Sequence, residues 1–339
     1  MTDRVEKILQ GDVTTAAKLI SEIDNGVPTA FEALRDLYPH TGHAYIIGLT
    51  GPPGAGKSTL ADGIIQNFRE KGKQVGVIAI DPTSPFTGGA ILGDRVRMQR
   101  HGTDSGVFIR SLATRGPFGG LTQSTNAVLW IMEAMGKDIV IIETVGVGQD
   151  EVDIGRTAHT TIIVMVPGMD DEIQLMKAGI VEIGDIFVVN KADREGTEQT
   201  ILDLQTMIKM GRKFKPGNSW VPLILQTVAI SGTGVLELAQ GVYQHMNFLQ
   251  MENHIEKHNR ERLKYEFLNI AKSCITHFIM EELKQGEGFD NILDQMIYGK
   301  IDPYSMVEKV FTRNHLCQVG TVWDVIRPSK PESVKEGQG

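Results

Sequence analysis

The segment from Gly51 to Ser58, GPPGAGKS, constrains the fold of this chain more than any other part of its sequence. It follows an apolar run at residues 45–49 and opens a helical pattern at residues 57–71, so it joins a buried strand to a helix. The glycines allow backbone N–H groups to turn toward phosphate groups, while Lys57 reaches the β and γ oxygens and the Ser58 hydroxyl holds Mg²⁺. An empty glycine-rich turn is the alternative, but a lysine at a helix start is unfavourable with the helix dipole unless an anion is present. The predicted phosphate cradle comprises Gly51, Pro52, Pro53, Gly54, Ala55, Gly56, Lys57, Ser58 and Thr59.

A second motif, Asn190-Lys191-Ala192-Asp193, follows the apolar run 186–189 and predicts which base is bound. The carboxylate of Asp193 accepts two hydrogen bonds from the N1–H and the exocyclic amine of guanine, an edge that adenine lacks. A site that requires such bonds rejects the analogue lacking them by roughly 10⁴–10⁵-fold. Ser231 and Gly232 end the last strand candidate and are placed to lie behind the guanine ring; alternatively, they only cap the next helix. We therefore expect GTP and GDP as ligands.

Strands and helices alternate from residue 44 onward. The apolar runs predict strands at residues 45–49, 75–80, 107–111, 139–142, 161–166, 186–189 and 222–230, and helical patterns lie between them at 57–71, 121–135, 171–179 and 197–210. This order predicts an α/β fold with a mainly parallel sheet covered by helices on both faces. Residues 3–37 carry two short helical patterns, and the chain after residue 235 is again helical.

Carboxylates close two of the predicted strands. Asp81 ends the run 75–80 and Glu143 ends the run 139–142, and in a doubly wound sheet these ends face the ligand. Either carboxylate can hold Mg²⁺ directly or through water; the alternative is a surface carboxylate at a strand end. Gly146, three residues after Glu143, is placed to donate its N–H to a γ-phosphate and to respond to its loss.

Two segments have the composition of mobile switches over the phosphates. The first, between Asp81 and residue 107, is rich in turn residues and contains Asp94, which either caps a short helix or approaches Mg²⁺ or the attacking water. The second spans residues 145–151, VGVGQDE, in which Gln149 is the amide that could orient water. A direct catalytic part for Gln149 stays open at this point.

Composition excludes several other classes of protein. The formal net charge of −8 and the isoelectric point near 5.6 argue against nucleic acid as the main partner. No apolar run approaches the ~20 residues that span a bilayer, and the N-terminus lacks a signal-peptide core. We expect a cytoplasmic, bacterial protein. The pairs His254/His258 and Cys274/His277 have helical spacing, but no further ligands accompany them, so polar-face and core positions are the better interpretation.

The motifs in their order, GPPGAGKST, AIDPTSPFTGGAILGDRVRM, RGPFGGL, ETVGVGQDE, VPGMDDEIQLMKAGIVEIGDI, NKAD and SGTG, resemble the MeaB/ArgK/MMAA GTPases, over roughly residues 44–234. These belong to the SIMIBI class of P-loop NTPases and act as chaperones of adenosylcobalamin-dependent acyl-CoA mutases. The resemblance implies that Asp81 and Asp94 lie in a first switch and Glu143 and Gly146 in a second. It also implies a third switch at residues 168–177, which contacts the mutase and in which Lys177 moves to the nucleotide. Cobalamin is not expected as a stably bound group of this chain.

The same resemblance implies a Mg²⁺-dependent, homodimeric GTPase with a low intrinsic rate that the mutase stimulates, and which gates cofactor loading and protects or reactivates the mutase. We expect an N-terminal helical segment at residues 1–42, a GTPase domain at 43–250, a C-terminal helical dimerisation region at 251–327 and a disordered tail at 328–339. Two alternatives are a nickel-insertion GTPase, which would need a Cys/His-rich metal site, and a kinase of a transport-associated protein, against which the guanine motif argues.

Overall fold

In the part of the chain that the structure describes, seven parallel strands form a single sheet. A computed structural model describes residues 3–81, 99–113, 123–144, 146, 150–168, 180–212, 220–285 and 288–313. The strand order across the sheet is β3-β2-β4-β1-β5-β6-β7, which puts the strand before the glycine-rich loop in the middle. The strands are β1 Tyr45–Thr50, β2 Val75–Asp81, β3 Val107–Ala113, β4 Ile139–Glu143, β5 Thr160–Met165, β6 Ile186–Asn190 and β7 Leu223–Thr227.

Helices cover both faces of the sheet, as the alternating pattern predicts. The described α-helices are α1 Asp3–Leu9, α2 Val13–Asp24, α3 Pro28–Leu37, α4 Lys57–Glu70, α5 Gln123–Ala134, α6 Asp150–Thr157, α7 Ile180–Ile183, α8 Thr197–Arg212, α9 Val235–Gln250, α10 His254–Gln285, α11 Phe289–Ile297 and α12 Pro303–Arg313. Short 3-10 turns at Tyr38–His40, Gln99–His101 and Met251–Asn253 complete the described elements.

The two faces of β1 pack into two different layers, because successive side chains of a strand point to opposite sides. Ile47 and Leu49 lie in a buried cluster with α4 and α9. Ile46 lies in the other cluster, with the N-terminal helices, α5 and α6. Both layers consist mainly of buried aliphatic side chains, so the sheet is covered on both sides and most strand positions are apolar.

The N-terminal region differs from the sequence prediction in having a third helix. Asn25 and Gly26 follow the end of α2, and α3 then begins at Pro28, which occupies the first turn. Proline suits that position because its missing N–H would have no partner within the helix there. The three helices pack on α5 through Ile8, Leu19 and Leu37, all fully buried. They therefore form one layer of the core.

The last strand is shorter than its apolar run of residues 222–230. β7 ends at Thr227 because Val228 turns away and pairs in antiparallel fashion with Thr233, donating its N–H to the Thr233 carbonyl at 3.0 Å. The helix predicted at residues 171–179 lies outside the described residues.

The chain divides into two compact units, Met1–Glu266 and Phe267–Gly339. The second unit contains α12, which Asp302 caps: its Oδ1 accepts hydrogen bonds from the backbone N–H of Tyr304 and of Ser305, both at 3.0 Å. No helix in the described part of the chain combines the length and apolar character that crossing a membrane requires.

Candidate functional site

The carboxyl ends of four strands bring the sequence-predicted residues to one edge of the sheet. β2, β4 and β1 are neighbours, with Ala79 and Leu49 both in register with Glu143, and Asp81 is the last residue of β2. The glycine-rich loop leaves β1 at this edge, and Asn190 ends β6 two strands away. Parallel order thus brings together motifs that lie more than 130 residues apart in the chain.

Lys57 lies buried at the first position of α4, with its ammonium group held by the loop itself. Nζ donates to the carbonyl oxygen of Gly51 at 2.8 Å and to that of Pro52 at 3.1 Å. These two carbonyls offset part of the cost of a cation at the positive end of a helix. The N–H groups of the first turn and this ammonium group together make a site suited to an anion such as a phosphate.

Ser58 and Glu143 meet at the same place, as the magnesium hypothesis requires. The Ser58 hydroxyl donates to Glu143 Oε1 at 2.7 Å, and both side chains are buried. Hydroxyl and carboxylate oxygens are the ligands that Mg²⁺ prefers, and a buried carboxylate needs a positive charge or donors nearby. The donor set therefore fits a magnesium ion at the start of α4.

Gly146 lies directly against the glycine-rich loop. Its φ of 97° is in the left-handed region, and a Cβ atom there would lie 1.9 Å from the Gly51 carbonyl oxygen and 2.9 Å from Lys57 Nζ. Only glycine allows this approach. The backbone of the predicted second switch thus contacts the residue that holds the phosphate-binding lysine.

Two threonines that the sequence did not single out support this contact. The Thr144 hydroxyl donates to Thr50 Oγ1 at 2.8 Å, and the Thr144 N–H donates to the Leu49 carbonyl at 3.1 Å. Both side chains are buried. They join the ends of β4 and β1 immediately before Gly146 and Gly51. The pairing joins residues 94 positions apart, so no local pattern reveals it.

The second motif is held against the first by its asparagine and lysine. Asn190 Nδ2 donates to the Ala55 carbonyl at 2.7 Å, and Lys191 Nζ donates to the Gly54 carbonyl at 2.8 Å. Asn190 Oδ1 accepts from the Thr227 hydroxyl and from the Ala229 N–H, both at 3.0 Å. Asn190 therefore ties three loops together, and the Thr227 contact is another that local sequence does not predict.

Glycine is also required where the two motifs touch. Gly56 has a φ of 93°, and a Cβ atom there would lie 2.3 Å from Asn190 Nδ2. The loop after β7 approaches the same region: the Ser231 hydroxyl donates to the Val228 carbonyl at 3.0 Å, and Gly232 has a φ of 78°. The geometry is a tight turn next to the base motif.

Three candidate catalytic residues, Asp94, Gln149 and Lys177, lie outside the described residues, and so do their switch segments in large part. Asp81 is placed as the last residue of β2. No group of three or more His, Cys, Asp or Glu side chains that could hold a metal ion occurs within the described ranges. His258 is half-buried, and this burial lowers its pKa.

A parallel sheet with a glycine-rich loop, a buried lysine at a helix start and a guanine motif tied to that loop defines the class of P-loop GTPases. Residues 16–284 match the model of the family described as "Methylmalonyl Co-A mutase-associated GTPase MeaB", and the chain belongs to this family. It is thus a guanine nucleotide-binding protein that hydrolyses GTP.

Relatives agree with this assignment. A protein of Pyrococcus abyssi named "Putative GTPase" is 46% identical over 306 residues, covering 90% of this chain and 94% of its own. "GTPase ArgK" of Escherichia coli is 28% identical over 305 residues, covering 88% and 90%. The solved structure of a LAO/AO transport system kinase has a TM-score of 0.68 and 21% identity, and covers 92% of this chain and 97% of its own. That likeness concerns the fold.

Proposed function

We propose that this GTPase is a chaperone of an adenosylcobalamin-dependent acyl-CoA mutase, and that GTP hydrolysis gates cofactor loading and the protection or reactivation of the mutase. The observation that carries the proposal is the match of residues 16–284 to a family described as mutase-associated. A Caenorhabditis elegans relative named "Methylmalonic aciduria type A homolog, mitochondrial" supports it; that protein is 30% identical over 259 residues, 76% of this chain and 65% of its own.

In this proposal the nucleotide is held by the two motifs described above. Residues 51–59 bind the phosphates, Asp193 reads the guanine edge, and Ser231 and Gly232 lie behind the base. Ser58 and Glu143, with Asp81 and Asp94, hold Mg²⁺, and the 2.7 Å contact between Ser58 and Glu143 supports that assignment. The ion, when bound, neutralises charge that develops on the phosphate oxygens.

The γ-phosphate acts as a timer in the proposed cycle. The N–H of Gly146 binds it, Gln149 orients the attacking water, and Lys177 moves to the nucleotide when the mutase is bound. The intrinsic rate is low because Lys177 reaches the nucleotide only in the complex with the mutase. The contact of Gly146 with Gly51 supports the first of these roles, since loss of phosphate at that point alters a backbone already touching the loop.

We also propose that the protein is a homodimer that uses its C-terminal helices. Large apolar side chains are exposed throughout the second unit, in keeping with a surface that another protein covers. The exposed set comprises Phe267, Leu268, Ile275, Phe278, Met280, Phe289, Leu293, Ile297, Tyr298, Tyr304 and Val307. Light scattering tests this: the wild type is expected at twice the chain mass, and Ile297→Glu, which places a charge at a 77% exposed position, should shift it toward the monomer.

The decisive experiment measures phosphate release from GTP, with ATP as control, while a cobalamin-dependent acyl-CoA mutase from the same genome is titrated in. Saturable stimulation of GTP turnover identifies the client. Turnover of GTP that no such mutase changes would refute the chaperone role and leave the GTPase.

Lys177→Ala tests the third switch in the same assay. The expected result is normal basal turnover with loss of the stimulated part, because the lysine reaches the nucleotide only in the complex. An equal loss of both rates would contradict the assignment.

A further inference from the structure

Helix α6 begins only four residues after Gly146, at Asp150, so it is tethered to the segment assigned above as the second switch. A trans peptide chain extends at most ~3.6 Å per residue, and four steps therefore span no more than about 14 Å. The position of α6 consequently limits how far Gly146 can lie from it.

Two other elements pack closely on α6. At Gly48 of β1, a Cβ atom would lie 2.6 Å from Ile154 Cγ1. The side chain of Ile154 on α6 therefore packs against the backbone of the strand that leads into the phosphate loop. At Gly155 of α6, a Cβ atom would lie 2.6 Å from Cβ of Ile183 on α7. Helix α7 follows the segment proposed as the third switch. Helix α6 therefore contacts both the strand before the phosphate loop and the helix after the proposed third switch.

Helix α10 also contacts α6, through Tyr265. The Tyr265 hydroxyl donates to Asp153 Oδ1, and the guanidinium carbon of Arg156 lies 4.8 Å from the centre of the tyrosine ring. Asp153 is one turn into α6 and only 9% exposed. A buried carboxylate depends strongly on its donors, so this contact restrains the part of α6 nearest the second switch.

The far end of α6 is fixed by different atoms. His159 Nδ1 accepts from the Ile46 N–H at 2.9 Å, which leaves the ring proton on Nε2, where it is donated to Asn259 Oδ1 at 2.7 Å. Burial lowers the pKa of His159 to about 3, so the ring stays neutral and this tautomer persists at ordinary pH. The end of α6 is thus anchored independently of Tyr265.

We propose that Tyr265 is a positioning residue for GTP hydrolysis, acting through Asp153 and α6 on Gly146, four residues before the helix. The proposal rests on the assignment of Gly146 to the second switch. Tyr265 should not affect nucleotide affinity, because Lys57 and Asn190 are held in place by carbonyl groups of the phosphate loop and not by Tyr265. Its loss should therefore lower kcat and leave GDP binding unchanged.

The test is Tyr265→Phe, which removes the hydroxyl and keeps the ring for Arg156. We expect kcat for GTP to fall about tenfold, the effect of one hydrogen bond to a charged group, with KM and the Kd for GDP within about twofold of wild type. Asp153→Ala should give the same loss, and the double variant no further loss. Asp153→Asn keeps an acceptor oxygen and should restore part of the rate.

Tyr45→Phe is the matched control. It removes a different tyrosine hydroxyl, bonded to Thr160 Oγ1 at 2.6 Å, without touching the Asp153 contact. It should lower Tm to a similar extent and leave kcat unchanged. Wild-type kcat in Tyr265→Phe, or a parallel weakening of GDP binding, would overturn the proposal.

Lys57→Ala, measured alongside, separates the two hypotheses. If it abolishes turnover while Tyr265→Phe behaves as wild type, only the positioning role fails. If Lys57→Ala keeps near-normal turnover, the proposed phosphate site itself is wrong.

Discussion

At the scale of single residues, the site depends on positions where nothing larger than hydrogen fits. Gly146 and Gly51 approach each other so closely that their separation is set by backbone atoms alone. Contacts of this kind are short and stiff, and a change on one side reaches the other without passing through a flexible side chain. This arrangement suits a loop that must respond to the loss of one phosphate.

Gly146→Ala should abolish hydrolysis, because its Cβ would overlap the Gly51 carbonyl oxygen. Gly136→Ala is the control: its φ of 81° imposes similar backbone strain, but no atom lies within 4 Å of the added carbon. Both variants should lose about 1–3 kcal/mol of stability from the strain. Only Gly146→Ala should lose turnover in a phosphate-release assay, and equal activity in the two variants would contradict the role of Gly146.

Asp193→Asn should change which base is bound. An amide supplies one acceptor where the carboxylate supplies two, so one guanine donor is left unmatched and the affinity for GDP should fall roughly 10- to 100-fold. Xanthine carries a carbonyl at the position of the guanine amine, and the amide N–H can donate to it. Competition of XDP and GDP for the variant, measured by calorimetry, checks this; an unchanged preference for GDP would show that Asp193 does not read the base.

At the scale of elements, each strand expected from an apolar run is present, and six of the seven end within two residues of their expected bounds. The exception is β7, where a local antiparallel pairing of Val228 with Thr233 ends the strand before the apolar run does. Burial of both sheet faces makes strand cores easy to predict, since most of their positions are apolar.

The candidate site was predictable only where a motif is local. Residues 51–59 and 190–193 can be recognised in the sequence because each motif has characteristic residues at a fixed spacing. The pairs Thr50 with Thr144 and Asn190 with Thr227 join residues from different strands, so they require knowledge of which strands are neighbours. No single-sequence pattern carries that information, because strand order in a parallel sheet depends on how the crossovers pack.

Helix α10 carries a carboxyl group whose burial makes stability depend on pH. Burial, and to a smaller extent nearby Glu133, raise the pKa of Glu266 to about 7 from 4.5, although Arg262 opposes this. The folded state thus keeps a proton that the unfolded chain loses near pH 4.5. The stability contribution of this group is present below pH 4.5, declines as pH rises to 7 and is absent above it.

The stability of Glu266→Gln relative to the wild type should therefore increase as pH rises. The difference in unfolding free energy should grow by about 3 kcal/mol between pH 4.5 and pH 8, in favour of the variant. Urea denaturation at pH 5 and pH 8 measures it. Glu261→Gln, on the same helix with a side chain 70% exposed, should show no such trend. A difference that is constant with pH would indicate that Glu266 ionises normally.

At the scale of the whole molecule, nucleotide binding should stabilise the folded state because the phosphate loop and the base motif come together only when the sheet is formed. GDP at 100 times its Kd should add about 2.7 kcal/mol to the unfolding free energy, and ADP at the same concentration should add nothing measurable. Thermal denaturation with each nucleotide checks this. Equal stabilisation by ADP would contradict the base selectivity.

The central place of β1 has a consequence for how the chain is made. β1 pairs with β4 and β5, strands that begin about 90 and 115 residues later, and not with β2, the next strand in the sequence. During synthesis the ribosome must therefore deliver residues up to the end of β5 before β1 has both neighbours. Until then the apolar strand β1 cannot form its full set of hydrogen bonds to neighbouring strands. Pairings between strands so far apart in the sequence also form slowly. Aggregation is therefore a greater risk for the nascent chain than for the folded protein.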